Sequence, residues 1–324
     1  MEECLVESVK VLQELMPEIV VGLQVGPGEI ICQLEGATDG LGSLHGRYAF
    51  KTAVHLMGQL ILTRDLGALL WGSHKLMCLY GATALFAWAP EARIVLDPAL
   101  QEWPKGPILL AGHHRDNNRM LDFLLQFLVT PMYKDHRVAV AHHVMGHWYQ
   151  RPLSRYLFHS YNLANDRDKF EQLHDIVKPS DCTTVFPDVD GAQFPGDYSF
   201  YFRKGLFAVS MYLGRPIVDM CIVEPTAANR VTRVQLTLWR PPEPLRPAHA
   251  TFSEFVRQSA AEIQTFTDQC EADYKRRLRA LEAPHLACND YDTYSICQGR
   301  ARHKTWARNN KLPYKDVPYR VDHG

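Results

Sequence analysis

From Arg93 to Trp239 the sequence alternates short strand-like runs with stretches of helical periodicity, and few folds accommodate that alternation. Ile94–Leu96, Pro107–Ala111, Val138–Ala141, Thr183–Phe186 and Ile217–Val223 read as short strands. The second of these is entered through Pro104-Lys105-Gly106. Leu121–Val129, Asp168–Val177 and Gly205–Leu213 read as helices, the last stopped by Gly214. Val231–Trp239 alternates apolar and polar residues and ends at Pro241-Pro242. Strands separated by helices predict an α/β fold with a mostly parallel sheet flanked by helices.

At 324 residues the chain can hold one large domain with terminal extensions and a sizeable core. Three regions follow. Residues 1–92 are predicted to be an N-terminal helical region containing a hairpin, 93–250 the α/β core, and 251–324 a C-terminal helix with a polar, basic tail. That helix is predicted over Phe252–Leu281, where charged and apolar residues recur at helical spacing.

The N-terminal region carries the membrane question. Leu66–Ala89 (LGALLWGSHKLMCLYGATALFAWA) has about one bilayer length, but His74 and Lys75 sit near its centre. A charge there costs roughly 2.5–3.5 kcal/mol on insertion scales, which disfavours a clean span. A buried helical hairpin is one reading. An interfacial or re-entrant segment with Trp71, Tyr80 and Trp88 at headgroup depth is the other. Asp39–Gly46 (DGLGSLHG) lacks the spacing and the preceding strand of a nucleotide loop, so it reads as a turn.

Charge and cysteine usage narrow the classes further. A formal net charge of -1 gives no pull toward nucleic acid, and no nucleic-acid-reading motif is present. Eight cysteines occur with no CxxC pair, which predicts reduced thiols rather than a disulfide framework or a structural zinc site. Glu2 and Glu3 open the chain where a secretory signal wants positive charge, so none is expected.

Three places on the core carry residue types suited to chemistry. Leu109–Asp116 (LLAGHHRD) delivers His113 and His114 from a buried strand to a loop, and Asp116 and Asp122 follow. A neutral imidazole can take a proton from an alcohol, and a carboxylate on its far nitrogen fixes the tautomer and stabilises the imidazolium. The plain alternative is a polar cap, Asp116-Asn117-Asn118, that starts a helix. Phe186-Pro187-Asp188 precedes Phe202-Arg203-Lys204-Gly205, where two cations and a glycine meet a helix start suited to a phosphate. Taken singly, those cations also fit a solvated turn. Asp166-Arg167-Asp168 places a third cation before a helix, or simply a weak surface ion pair.

In order and spacing these pieces resemble the glycerolipid acyltransferase family, which includes lysophosphatidic acid and glycerol-3-phosphate acyltransferases and tafazzin. In that family an apolar strand leads to N-H-x-x-x-x-D, followed by a Phe-Ile-Asp-Arg-like segment, F-P-E-G-T-R, F-K-K-G-A and V-P-I-V-P-V. The matching stretches here are Pro104–Asp122, Leu163–Arg167, Phe186–Asp190, Phe202–Ala208 and Arg215–Met220, with Val231–Pro244 similar to the closing strand. The resemblance covers roughly Arg93 to Leu281.

It implies a glycerophospholipid acyltransferase-like fold and a membrane-associated enzyme at the cytoplasmic face. By the same resemblance His114 is the general base, Asp122 orients it, and His113 and Asp116 stand beside them. Arg167, Arg203 and Lys204 hold the acceptor phosphate, Gly205 lets backbone amides approach, and Asp188 takes the place of the family's glutamate. The implied donor is acyl-CoA or an acyl carrier protein, and the implied acceptor is a glycerol-phosphate or lysophospholipid. A phospholipid membrane is the implied partner. No metal, resident cofactor or covalent acyl-enzyme is implied, and no G-x-S-x-G elbow is present.

Three departures from the family stand out. Asp122 lies eight residues after His114 where the family has five, about one extra helical turn. Glu-Gly-Thr-Arg is replaced by Asp188-Val189-Asp190-Gly191, and Asp219 stands where the family has proline. A catalytically inactive member that binds lipid or a membrane partner is therefore the second reading, and a soluble acyl-thioester hydrolase a remoter third.

Two further features are weighed separately. His143 and His147, at i, i+4 in AHHVMGHW, lack a glutamate to complete a metalloprotease pattern and read as incidental. Arg300–Arg320 carries seven cations against the single acid Asp316, with Trp306, Tyr314 and Tyr319 interleaved. Such a tail suits either an anionic leaflet or solvent.

Overall fold

The computed structural model of the chain describes residues 20–26, 29–35, 91–96, 98–100, 104, 106–113, 133, 135–141, 160–163, 169–187, 198, 200–223, 231–242 and 251–286. These residues form a nine-stranded mixed sheet with helices packed on it. The strands are β1 (Val20–Gly26), β2 (Glu29–Glu35), β3 (Glu91–Leu96), β4 (Ile108–Ala111), β5 (His136–Ala141), β6 (Ser160–Leu163), β7 (Cys182–Val185), β8 (Ile217–Val223) and β9 (Val231–Trp239). Their spatial order is β1-β2-β3-β9-β8-β4-β7-β5-β6.

The sheet is mostly parallel. β3–β9, β8–β4, β4–β7, β7–β5 and β5–β6 pair parallel, and β1–β2, β2–β3 and β8–β9 pair antiparallel. Strands covered on both faces need apolar side chains throughout, and β4 and β8 are buried at every residue. One charged residue breaks that rule: Asp219, in the middle of β8.

The described helices are α1 (Lys169–Val177), α2 (Gly205–Leu213), α3 (Phe252–Gln258) and α4 (Ala260–Leu286). They share one core with the sheet. Leu173 and Val177 of α1, Phe207 and Met211 of α2, Phe255 of α3, and Phe266, Tyr274 and Leu278 of α4 pack with Leu109, Ala111, Val185, Ile217 and Trp239.

Local chemistry sets the helix ends. Thr251 caps α3 with a capping box, its hydroxyl accepting from the Glu254 amide while the Glu254 carboxylate accepts from the Thr251 amide. These bonds hold the Glu254 carboxyl below its usual range. Gly214, at φ 67°, closes α2 in the left-handed conformation that favours glycine. Arg215 follows immediately and donates to the carbonyls of Val177 (2.8 Å), Lys178 (2.8 Å) and Ser180 (2.9 Å). The loop ending α2 therefore caps the C-terminal end of α1, whose last carbonyls have no partners inside their own helix.

The expected strands over 217–223 and 231–239 and the helix over 205–213 occur at those residues. For the other expected strands and the helix at 169–177 the bounds shift by one to three residues. The structure differs in four respects, the first being the unexpected strand β6 (Ser160–Leu163). Val20–Gly26 and Glu29–Glu35, inside the stretch read as helical, form a β-hairpin that joins the sheet through β3. β3 itself crosses the 92/93 boundary, because its pairing with β9 begins at Glu91. The C-terminal helix is divided at Ser259 into α3 and α4, and α4 continues to Leu286.

The predicted helix over Leu121–Val129, the stretch Leu66–Ala89, the histidines of AHHVMGHW and the basic tail lie outside the described residues. Among the described residues no helix is long and apolar enough to cross a membrane.

Arg215→Ala removes three charge-assisted hydrogen bonds from the end of α1. Unfolding stability should fall by about 2–4 kcal/mol in urea titrations, with the sheet's circular dichroism unchanged below the transition.

Candidate functional site

The site begins at the C-terminal end of β4. The Gly112 amide donates to the Val185 carbonyl at 3.0 Å, so the chain leaving β4 stays fastened to β7. His113 comes next and turns inward, with 2 % of its surface exposed. Its ring stacks on Tyr274 at a centroid distance of 3.8 Å and on Phe202 at 5.2 Å.

His113 Nε2 lies 2.6 Å from Asp219 Oδ1. An ionised carboxylate only accepts, so Nε2 carries the proton and donates it. The second oxygen of Asp219 accepts from the Arg277 guanidinium. Arg277 Nε donates in turn to Asp273 Oδ2 at 2.9 Å, which also accepts from Trp239 Nε1 at 3.0 Å.

Five residues from β4's end, β8, β9 and α4 thus make one polar chain through the core. Its electrostatics are self-consistent. Burial works against the Arg277 charge, but Asp219 and Asp273 outweigh it and push the guanidinium pKa up, so Arg277 stays charged. Burial would raise the Asp273 carboxyl. The bond from Trp239 and the charge and bond of Arg277 reverse that and hold it below the usual carboxylate range.

The cationic turn meets the same edge of the sheet. The Arg203 amide donates to the Pro187 carbonyl at 2.6 Å, just past β7, and the Phe202 amide donates to Glu271 on α4 at 2.7 Å. Phe200 and Phe202 point inward while Tyr201, Arg203 and Lys204 are exposed. Lys204 is the N-cap of α2 and Gly205 its first residue. A Cβ at Gly205 would come within 3.3 Å of Leu173 Cδ2, so the glycine also permits close packing against α1.

Of the predicted site residues, the structure brings His113, Arg203, Lys204 and Gly205 to one sheet edge. Phe202 touches both parts, through its ring toward His113 and through the chain toward Arg203. His114, Asp116, Asp122, Arg167 and Asp188 lie outside the described residues.

His113, read from sequence as delivered to the loop after β4, faces aromatic rings and a carboxylate 106 residues away. The physical reason lies in β8, where a buried carboxylate requires donors and draws them from the end of β4 and from α4. Asp219, Arg277, Asp273 and Trp239 were not singled out as partners from sequence. A signal was available: Asp219 is the only charge in IVDMCIV, and a charge in so apolar a strand demands a partner.

Among the described residues no group of three or more His, Cys, Asp or Glu is placed to hold a metal ion. Cys182, Cys221 and Cys270 are buried. Burial pushes the thiols of Cys182 and Cys270 up, away from the nucleophilic thiolate form. The chain matches no known family model, and no curated protein matches it in sequence.

Two outcomes follow from the polar chain. Arg277→Met leaves Asp219 buried without its cation and should cost about 3–5 kcal/mol, part of it recovered when Asp219→Asn is added. The Asp273 carboxyl is depressed in the folded state. Its contribution is therefore complete above the unfolded pKa of about 3.9 and disappears as pH falls through the lower folded value. Asp273→Asn should flatten the fall in stability below about pH 4, measured by denaturant titration across an acid series.

Proposed function

We propose that this chain is an O-acyltransferase that moves a fatty acyl group from acyl-CoA or an acyl carrier protein to the hydroxyl of a glycerol-phosphate or lysophospholipid acceptor. One observation carries the reading: the strand end bearing the histidines and the cationic helix start share one edge of a mostly parallel sheet. Crevices outside the carboxyl ends of such strands are where α/β folds bind ligands. The glycerophospholipid acyltransferase-like fold belongs to the same proposal and rests on the order of the motifs.

In this reading His114 takes the proton of the acceptor hydroxyl as its oxygen attacks the thioester carbonyl. Asp122, or Asp116, supports the imidazole. The tetrahedral intermediate collapses by breaking the C–S bond, and the departing thiolate recovers the proton from His114. The products are an ester and a free thiol, so no further reactant is required. Arg203 and Lys204 hold the acceptor phosphate, joined by Arg167, with Asp188 near the same loop. The raised pKa values of the buried thiols Cys182 and Cys270 favour direct attack over an acyl-cysteine intermediate.

The membrane is the proposed source of acceptor, approached from its cytoplasmic face. Tyr201, 59 % exposed beside exposed Arg203 and Lys204, supplies the aromatic-and-cation combination suited to an anionic headgroup layer.

A second reading has its own support. His113 is spent on packing and on Asp219, as in a fold that has kept its scaffold and lost its chemistry. Under it the chain binds lipid or a membrane partner without turnover.

The two readings part in a transfer assay with purified full-length protein, radiolabelled acyl-CoA and a panel of lysophospholipids. His114→Ala should abolish transfer while moving the thermal midpoint by less than about 2 °C. Arg203→Ala with Lys204→Ala should raise the acceptor KM about tenfold, the loss of roughly one charge-assisted contact, and leave the donor KM unchanged. Equal transfer by wild type and His114→Ala removes the catalytic assignment.

A further inference from the structure

The His113–Asp219 bond spans a long stretch of sequence at a place where the fold does not need it for sheet pairing. β4 and β8 are already joined, with Ala111 and Asp219 as register partners. Gly112 is already bonded to Val185. What the extra bond fixes is the residue after Gly112, at the point where the chain leaves the sheet.

Every partner of that fixed residue leads to α4. Tyr274 stacks directly on the His113 ring. Arg277, one turn further along, holds the other oxygen of Asp219 and is itself held by Asp273. Glu271, one turn earlier, accepts from the Phe202 amide in the segment that carries Arg203 and Lys204. A single helical face, recurring every three to four residues, thus grips both halves of the site.

We infer that His113 is a positioning residue: through Asp219 and Arg277, the long C-terminal helix sets the direction in which the histidine loop leaves β4 relative to the cationic turn. The role given to His114 in this inference rests on the acyltransferase reading; the positioning itself does not. With 2 % of its surface exposed, His113 faces Tyr274, Phe202 and Asp219. Its ring orientation is over-determined by a hydrogen bond and two stacked rings, and such constraint on the supporting residues holds a reacting group within the fraction of an ångström that catalysis requires.

The test separates the bond from the packing. His113→Phe keeps a flat ring between Tyr274 and Phe202 and removes the donor to Asp219. His113→Gln keeps a donor and loses the stacking ring. Amide hydrogen exchange on full-length protein reads the outcome without reference to activity. In His113→Phe the Gly112 amide should exchange at least tenfold faster, while amides of the β8–β9 pairing such as Ile222 and Val234 stay within twofold of wild type. His113→Gln should bring Gly112 back to within threefold.

Unchanged Gly112 exchange in His113→Phe overturns the proposal. So does an equal acceleration across β8 and β9, which would mark a general loss of stability. Should His113→Phe fail to fold, His113→Leu, which also lacks a donor, takes the same measurement with the same expectations for Gly112 and for β8–β9.

Acyl transfer supplies the second arm. His113→Phe should lower kcat at least tenfold per folded molecule with the acceptor KM within twofold, and His113→Gln should recover most of it. Absence of transfer by the wild type counts against the acyltransferase reading alone, and the exchange result then decides the positioning role.

Discussion

A carboxylate with no solvent exposure sits in the middle of this sheet, and much of the architecture around it answers that one fact. Taking an ion of that size out of water costs several kcal/mol even after relaxation, and mutual attraction offsets it only when the remaining lone pairs are filled. Asp219 fills them from two directions. The register of β8 against β4 puts Ala111 beside it, so a side chain two residues beyond Ala111 lies within reach; that residue is His113. The opposite oxygen faces the helix layer, where Arg277 arrives from α4. A carboxylate one residue earlier or later on β8 would point to the other face of the sheet and meet neither donor.

The same requirement explains why the C-terminal helix is part of the core rather than an appendage. α4 buries Ile263, Phe266, Cys270, Tyr274 and Leu278 at helical spacing, an ordinary apolar stripe. Into that stripe it inserts Arg277, whose guanidinium lies over Trp239 and Tyr274 as well as on Asp219. Arginine suits such a place better than lysine. Its planar head stacks on rings while its edge donates to two carboxylates at once. Rings and charges are therefore complementary here: the aromatics exclude water and strengthen the ion pairs, and the ion pairs fix which way the rings face.

Much of the central sheet was legible in the sequence, because its signals are local. Apolar runs name β4 (ILLA) and, broken only by Asp219, β8, and Gly214 ends α2. The antiparallel hairpin of β1 and β2 was missed. Its residues mix Gly, Glu and Gln with apolar ones, and two-stranded pairing depends on β3 being there to receive it. β6 was missed for a similar reason, since Ser160–Leu163 is short and its pairing with β5 is nonlocal. For the site, the cationic turn and its helix start could be placed from residue order. The partner of His113 could not, because 106 residues separate it from Asp219 and no periodicity reports a contact across that distance. What the sequence did offer was the lone aspartate in an apolar strand.

That aspartate changes how the departures from the acyltransferase pattern are weighed. Asp219 stands where the resembled family has proline, and His113 stands where its N-H motif has asparagine. Considered separately, each reads as erosion. In space they are bonded to one another. A carboxylate placed in β8 without a new donor would leave one oxygen unmatched at a cost of about 1–3 kcal/mol, more for a charged group. A histidine at 113 without the carboxylate would bring a polar ring into the aromatic layer with one nitrogen fewer satisfied. The two residues are stable together and costly apart, so they act as one scaffold contact. Under the proposed acyltransferase reading, the bonded pair is a support beneath the residue that follows Gly112 rather than a loss of partners.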